Sequence, residues 1–449
     1  MLLVRSNIGG YDSYEQGCTV LTERLAFIDT FIDNTSRSPE TPPSTVLAGT
    51  NSCCWASCRL GLRWNTSTPI YRVPQDVLAY IFEIVYFMDY TFRGDTRCVI
   101  TLSHVCRLWR QVTLNQSSMW STVNFVDGVQ WARTALARSR AAPVYFSFYN
   151  FCSCDSDGAS QRKLSPAQIN DLAPLISEHL HHFRHMSVTG CSCDIHPAIA
   201  SCSDIPAPAM ETLEITVHAH QEEDEDSDDG RSITLSPSFL AESAPKLRSV
   251  ELHGCFVPWQ SFFLRNLTNL KISLKEQPTF SALGSTPDFI RSLQAMPALE
   301  SLWLSYCFPP DLVSFPASTT VKLPLLTDLD ISGTIPECNA LFSILDTPSS
   351  TSLTLTCSST DDTGAECCTI LPRVSAHLFQ ANQAGILLRV FSLSHFSSTS
   401  SLEIQVKAQE YHGFSFDWQD VLNLSFSWPL SPGDTHLPTI ENFCDAVEP

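Results

Sequence analysis

The sequence predicts an α+β protein: a small all-helical module followed by an irregular array of parallel strands backed by helices. Two observations lead there. Apolar residues recur at spacings of three and four over residues 77–85 and again over 99–109, the period of helix faces. Beyond residue 186 the period changes to two, in short runs such as Leu302-Trp303-Leu304 that return every few tens of residues. With 449 residues, 43% hydrophobic and only 16% charged, the chain is long enough for more than one core and apolar enough for most of it to fold.

Residues 1–69 read as a poorly defined N-terminal segment and linker. A short helix is expected over 19–33, with Leu21, Leu25 and Ile28 on one side, and residues 36–45 are rich in Ser, Thr and Pro. Cys53, Cys54 and Cys58 follow no period. The first 17 residues hold one Arg and no apolar run, so no secretory leader is expected. The most apolar stretch, residues 77–92, is interrupted by Glu83 and Asp89 and falls short of the ~20 residues a bilayer span needs. The expectation is a soluble intracellular chain, cytoplasmic or nuclear. In such a compartment its 18 cysteines act as small buried apolar residues rather than disulfides.

Charge excludes some partners. The 27 basic residues face 47 acids, for a net charge of −20. A surface that tracks phosphates needs clustered Lys and Arg to displace counterions, so neither nucleic acid nor an anionic membrane is an expected partner. Part of the excess is one run, residues 222–229, in which only Ser227 is not acidic. It separates two strand-like segments and reads as a solvated insertion over 221–230.

The helical module is assigned to residues 70–126. Pro74 suits the first turn of a helix, where its missing N–H costs nothing. Val77, Leu78, Ile81, Phe82 and Val85 then share a face. After the polar break Arg93-Gly94-Asp95, residues Val99, Leu102, Val105, Cys106 and Trp109 repeat the geometry, and Trp120 and Phe125 follow. Periodicity alone leaves open a small bundle whose apolar faces form only its own core.

Residues 127–430 are assigned to the strand array and 431–449 to a tail. A helix is expected over 129–139, and Pro143 leads into an alternating strand at 144–149. Pro166 opens a second helix running to about His181, and a strand over 186–188 comes next. A loose Leu-x-x-Leu-x-Leu pattern then recurs around Leu213, Leu247, Leu267, Leu299 and Leu326, with further copies at Leu353 and Leu355 and at Leu402, Ile404 and Val406. A strand with two or three inward aliphatics cannot bury itself alone, so each needs a neighbour stacked beside it. With helices expected over 286–295 and 339–345, the pattern predicts an irregular leucine-rich-repeat-like α/β solenoid with parallel strands. An ordinary α/β sheet without repeat logic is the alternative.

Two ordered motifs carry a family resemblance. The run from Val73 and Pro74 through Val77, Leu78, Ile81 and Phe82 resembles the opening Leu-Pro-x-Glu-Ile-Leu-x-x-Ile-Phe of F-box proteins. Val105-Cys106-Arg107-Leu108-Trp109-Arg110 resembles their second hallmark, Val-Cys-[Lys/Arg]-x-Trp-Arg, and Trp120 falls where many of them place a tryptophan. Val73 stands where Leu is usual and Asp76 where Glu is usual. Leu136-Ala137-Arg138-Ser139 and Pro143, leading into the Val144 strand, are similar to a junction in fungal F-box proteins with leucine-rich-like tails. The resemblance implies an adaptor with no catalytic residues of its own. Its F-box would dock on a Skp-family linker held by a cullin–RING ubiquitin ligase, while the repeat region binds an unknown protein target. Val73, Pro74, Val77, Leu78, Ile81, Phe82, Leu102, Val105, Cys106, Trp109 and Trp120 would then supply the docking surface or its immediate support.

Catalytic constellations are scarce. The sequence holds no Gly-x-Gly-x-x-Gly, Gly-x-x-x-x-Gly-Lys, His-Glu-x-x-His or Gly-x-Ser-x-Gly. Cys152/Cys154 and Cys191/Cys193 form two Cys-x-Cys pairs, although zinc knuckles normally use Cys-x-x-Cys. His179, His181, His182 and His185 crowd nearby; on a continuous helix 181/185 and 182/185 would share a face, and a helix C-terminus also favours His by its dipole. Asp155-Ser156-Asp157-Gly158 lacks a closing Glu for a calcium loop. No metal, cofactor or enzymatic activity is expected. The remaining alternatives are a non-catalytic interaction scaffold outside ubiquitylation and, last, a Cys/His metal-dependent enzyme.

Overall fold

The computed structural model describes residues 68–93, 98–125, 128–150, 166–218, 233–274, 283–316, 319–359, 366–384, 388–396, 401–412 and 415–427. Several expectations therefore lie outside the described residues: the helix at 19–33, the linker at 36–45, the Cys53/Cys54/Cys58 cluster, Cys152 and Cys154, residues 155–158, the acidic run 222–229 and the tail. The chain falls into two compact units, Met1–Met119 and Trp120–Pro449.

Three helices build the described part of the first unit: α1 (Gln75–Arg93), α2 (Cys98–Val105) and α3 (Arg107–Asn115). Each packs on the other two. Pro74 stands one residue before α1 rather than within its first turn, and its carbonyl accepts the Leu78 N–H at 3.0 Å. The apolar run 99–109, expected to continue as one helix face, is split. Cys106 is extended (φ −157°, ψ 174°) and caps α3, which is how a run of one period yields two helices rather than one.

The second unit is a mixed helix and strand structure around a twelve-stranded sheet. Its strands are β1 (Thr122–Asn124), β2 (Val144–Asn150), β3 (Phe183–Cys191), β4 (Thr212–His218), β5 (Ser249–His253) and β6 (Asn269–Ser273). There follow β7 (Ser301–Ser305), β8 (Asp328–Thr334), β9 (Ser352–Ser358), β10 (Leu388–Phe396), β11 (Ser401–His412) and β12 (Ser415–Ser427). From β1 to β9 each strand pairs in parallel with the next in chain order, and β12 then adds in parallel to β9. Parallel neighbours need long crossovers, and these carry α4 (Val129–Ser139), α5 (Pro166–His179), α6 (Ser192–Ala200), α7 (Thr286–Gln294), α8 (Ile335–Ile344) and α9 (Cys367–Gln383). Two short parallel ladders, 233–234 with 255–256 and 321–322 with 345–346, lie outside the main sheet.

The register explains the core. Met186, Leu213, Val250, Leu270, Leu302, Leu329, Leu353 and Leu422 form one continuous buried row across eight strands. Val188, Ile215, Leu252, Ile272, Leu304, Ile331, Leu355 and Leu424 form the next, two residues along. Because side chains alternate across a strand, the positions between these rows face the other side. Gly254 permits the sharp exit from β5: its φ is +66°, and a Cβ there would meet the Val217 carbonyl at 2.6 Å. Cys98, Cys191, Cys202, Cys255, Cys307, Cys338 and Cys357 are buried, as the apolar reading expects, while Cys106 is half-buried. Burial pushes the Cys202 thiol up to about 12 and raises those of Cys255 and Cys307 as well.

Three expectations need correction. The copy at Leu402, Ile404 and Val406 lies in β11, which runs antiparallel to both β10 and β12. Its hydrophobic alternation is real, but short connections on either side force hairpins, and the last parallel strand is β12 with Leu422 and Leu424. The helix expected at 339–345 begins at Ile335, where Thr334 and Glu337 form a reciprocal capping box behind Pro336. The second helix ends at His179, close to the expected end at about His181, a 3₁₀ turn over Leu180–His182 follows, and β3 starts at Phe183. His185 therefore lies on a strand, and the histidine spacings do not share a helix face.

Candidate functional site

In α1 the residues that sequence could not divide between core and surface separate cleanly. Leu78, Phe82 and Tyr86, four apart, form the buried stripe, each at most 1% exposed. Phe82 lies 4.7 Å from the Trp109 ring of α3, ring centre to ring centre. Leu102 of α2 is also buried. Glu83 fastens this side of the helix, its carboxylate accepting from Gln116 Nε2 and Ser118 Oγ.

A second set of apolar side chains on α1 faces outward. Val77, Tyr80, Ile81, Ile84, Val85 and Met88 are all at least 40% exposed, with Tyr80 at 64% and Met88 at 56%. At 100° per residue these six occupy one continuous arc beside the buried stripe. Val105 and Ile100 of α2 are exposed too. Among the described residues, α2 and α3 cover α1 along its Leu78, Phe82 and Tyr86 side and leave this second apolar arc exposed. Burying a single such side chain completely is worth roughly 1.5–3 kcal/mol, so covering the exposed part of six amounts to several kcal/mol.

The other expected site residues divide as follows. Pro74 is exposed; Val73, Cys106 and Trp109 are half-buried. Trp120 is 3% exposed and belongs to the second unit, its ring 5.5 Å from Trp131 and covered by the Arg138 guanidinium at 4.5 Å. Tyr80, Ile84 and Met88 are not among the expected site residues, because the motif that residues 73–82 resemble leaves position 80 unspecified and ends at Phe82. Their spacing from Val77 and Ile81 was the available signal.

The second unit presents a different surface. Between the two buried rows the register lines up Ser187, Glu214, Glu251, Lys271, Trp303, Asp330 and Thr354 on successive strands. All except Ser187 are half-exposed. Lys271 Nζ sits 3.5 Å from the centre of the Trp303 ring, a cation–π contact, and His253 meets the same ring edge-on at 6.1 Å. Asn269 Nδ2 donates to Ser249 Oγ at 3.0 Å and reaches Glu251 at 3.5 Å; His185 approaches Glu214 at 3.9 Å. Partial burial pushes the Asp330 carboxyl up to about 6, with Lys271 pulling the other way. Burial and Lys271 together hold His253 below its usual value. The row mixes both charges with one large aromatic.

The histidine cluster does not assemble a metal site. The rings of His181 and His182 touch at 3.1 Å, and burial together with both neighbouring histidines pushes His182 down to about 4. Cys191 is buried at the end of β3. Among the described residues, no group of three or more His, Cys, Asp or Glu is placed to hold a metal ion, and no helix is long and apolar enough to cross a membrane.

No protein-family model, no curated protein and no solved structure matches this chain.

Proposed function

We propose that this chain is an F-box adaptor of a Skp–cullin–F-box ubiquitin ligase, and that the exposed apolar arc of α1 is its docking surface. That arc is the observation that carries the reading: Val77, Tyr80, Ile81, Ile84, Val85 and Met88 line one exposed face of the helix that directly follows the Val73-Pro74 opening. The occupant is a Skp-family linker, and through it a cullin–RING ligase. Leu78, Phe82, Leu102 and Trp109 support the arc from beneath. The second unit is an irregular leucine-rich-repeat-like solenoid, and its half-exposed sheet face, with Glu214, Glu251, Lys271, Trp303 and Asp330, meets the protein target. The adaptor transfers nothing itself. It raises the local concentration of target near a ubiquitin-charged enzyme, an effective-concentration effect. Such a role places it in the cytoplasm or nucleus.

Co-purification tests the reading. The full chain should bring down a Skp-family linker and a cullin, and the Ile81→Glu, Ile84→Glu double variant should bring down neither while remaining folded. Proteins retained through the sheet face should accumulate when the proteasome is blocked. If neither linker nor cullin accompanies the wild-type chain, the proposal fails. Loss of ligase components with retention of other partners would favour an interaction scaffold outside ubiquitylation.

A further inference from the structure

A cleft of about 590 Å³ lies in the second unit, between the loop that follows residues 255–256 and helix α7. Its size falls within the usual range for small-molecule sites. Asn266, at φ +55°, turns the loop and donates its N–H to the Ala295 carbonyl at 3.1 Å, fixing loop and helix end together. Trp259 is held rigidly, its ring 4.7 Å from Phe289 of α7 and 5.7 Å from Phe256.

What marks the cleft is its unmet polar chemistry. Trp259 Nε1, Ser261 Oγ and Ser292 Oγ are buried and have no hydrogen-bond partner among the described residues. The three residues are 1%, 5% and 6% exposed, and all three line the cleft. Each orphaned group costs about 1–3 kcal/mol, and all three atoms are sealed just behind the cleft's surface without internal compensation. Ser292 is informative by contrast. Ser139, Ser177 and Ser343, also in helices, donate to a carbonyl one turn back, and Ser292 does not. The indole N–H is a donor and nothing else, so only an acceptor can satisfy it.

The rim adds two more donor-only groups. Arg265 and Arg291 line the cleft against a single carboxylate, Asp288, which Ser285 and Arg291 already engage. This corner of a chain with net charge −20 is therefore locally cationic. Phe262, 46% exposed with the Arg265 guanidinium 4.4 Å over its ring, supplies an apolar wall that can swing without disturbing the core.

We propose that this cleft binds a small organic oxyanion, with a carboxylate or phosphate group received by Arg265, Arg291, Ser292 and the Trp259 indole N–H, and an apolar body laid against Phe262. The rim pair moves aside as the ligand enters, which opens the sealed polar atoms to it. Calorimetric titration of the full chain with phenyl phosphate, phenylacetate and inorganic phosphate tests this. At least one aryl oxyanion should bind saturably with Kd below about 1 mM, and inorganic phosphate, lacking the body, about tenfold more weakly. The stronger of the two aryl ligands identifies the anionic group. Arg265→Gln with Arg291→Gln, both on exposed side chains, should weaken binding at least about tenfold; Ser292→Ala should weaken it severalfold with helix content unchanged by circular dichroism. No saturable binding of any of the three up to about 10 mM, or binding undiminished in the double arginine variant, overturns the proposal.

Discussion

In α1 of the helical module apolar side chains occupy both the buried stripe and the outward arc, whereas in strands β4 to β9 the aliphatics face inward and the alternate positions are polar. The array spends its hydrophobic residues on its own core: Leu302 and Leu304 are buried while Trp303 between them is half-exposed beneath Lys271. The module has more than its core can use. Leu78, Phe82 and Tyr86 suffice for packing on α2 and α3, yet Ile81, Ile84 and Met88 are just as apolar and stay outside. A surplus of this kind costs solubility unless a partner removes it from water.

The comparison can be broken at several points. Phe82→Ala should cost the module about 3–5 kcal/mol, since the ring is 1% exposed against Trp109, and should lower its unfolding midpoint in urea. Leu302→Ala, in the middle of a buried row, should cost the array about 2–5 kcal/mol by the same measurement. Smaller is the capping box: Thr334→Ala removes the start of α8 and should cost about 1 kcal/mol in thermal denaturation.

Acid should act on the array through His182. Its folded pKa is about 4, below the value of about 6.5 in an unfolded chain, so the unfolded state binds more protons between those limits. Stability should therefore fall as pH drops from about 6.5 toward 4, and His182→Gln should flatten that part of the profile. Asp330 works with the opposite sign. Its folded pKa of about 6 exceeds the unfolded value of about 3.9, so its charge destabilises the fold as pH rises through that window. Asp330→Asn should be more stable than wild type at pH 7 and indistinguishable from it below about pH 4.

The same contrast explains what could be read from the sequence. Strands β4 to β9 were legible because alternation has one stable solution when one face must be buried, and a one-residue slip would expose every leucine. Strand direction was not, because Leu402, Ile404 and Val406 alternate equally well in an antiparallel hairpin. The start of α8 was legible in principle, since Thr334 and Glu337 carry the capping spacing, and was read four residues late. In α1 the buried stripe and the exposed arc are both apolar, so the hydrophobic pattern alone does not tell the face of Phe82 from that of Ile81. The pairing of Lys271 with Trp303, and the meeting of Trp259, Ser261 and Ser292, depend on register and packing between segments far apart in the chain. No local pattern encodes them.

The least effect on stability should come from the surface arc, and there the central claim is exposed most directly. The measurement is calorimetric affinity of the full chain for a purified Skp-family linker, made in parallel with thermal unfolding for wild type and for Ile84→Glu, Met88→Glu. Wild type should bind at micromolar concentration or tighter, and the double variant about a hundredfold more weakly or not at all, with a midpoint shifted by no more than surface substitutions usually cause, about 0.5 kcal/mol each. Absence of wild-type binding, or equal binding by the folded variant, would contradict the account.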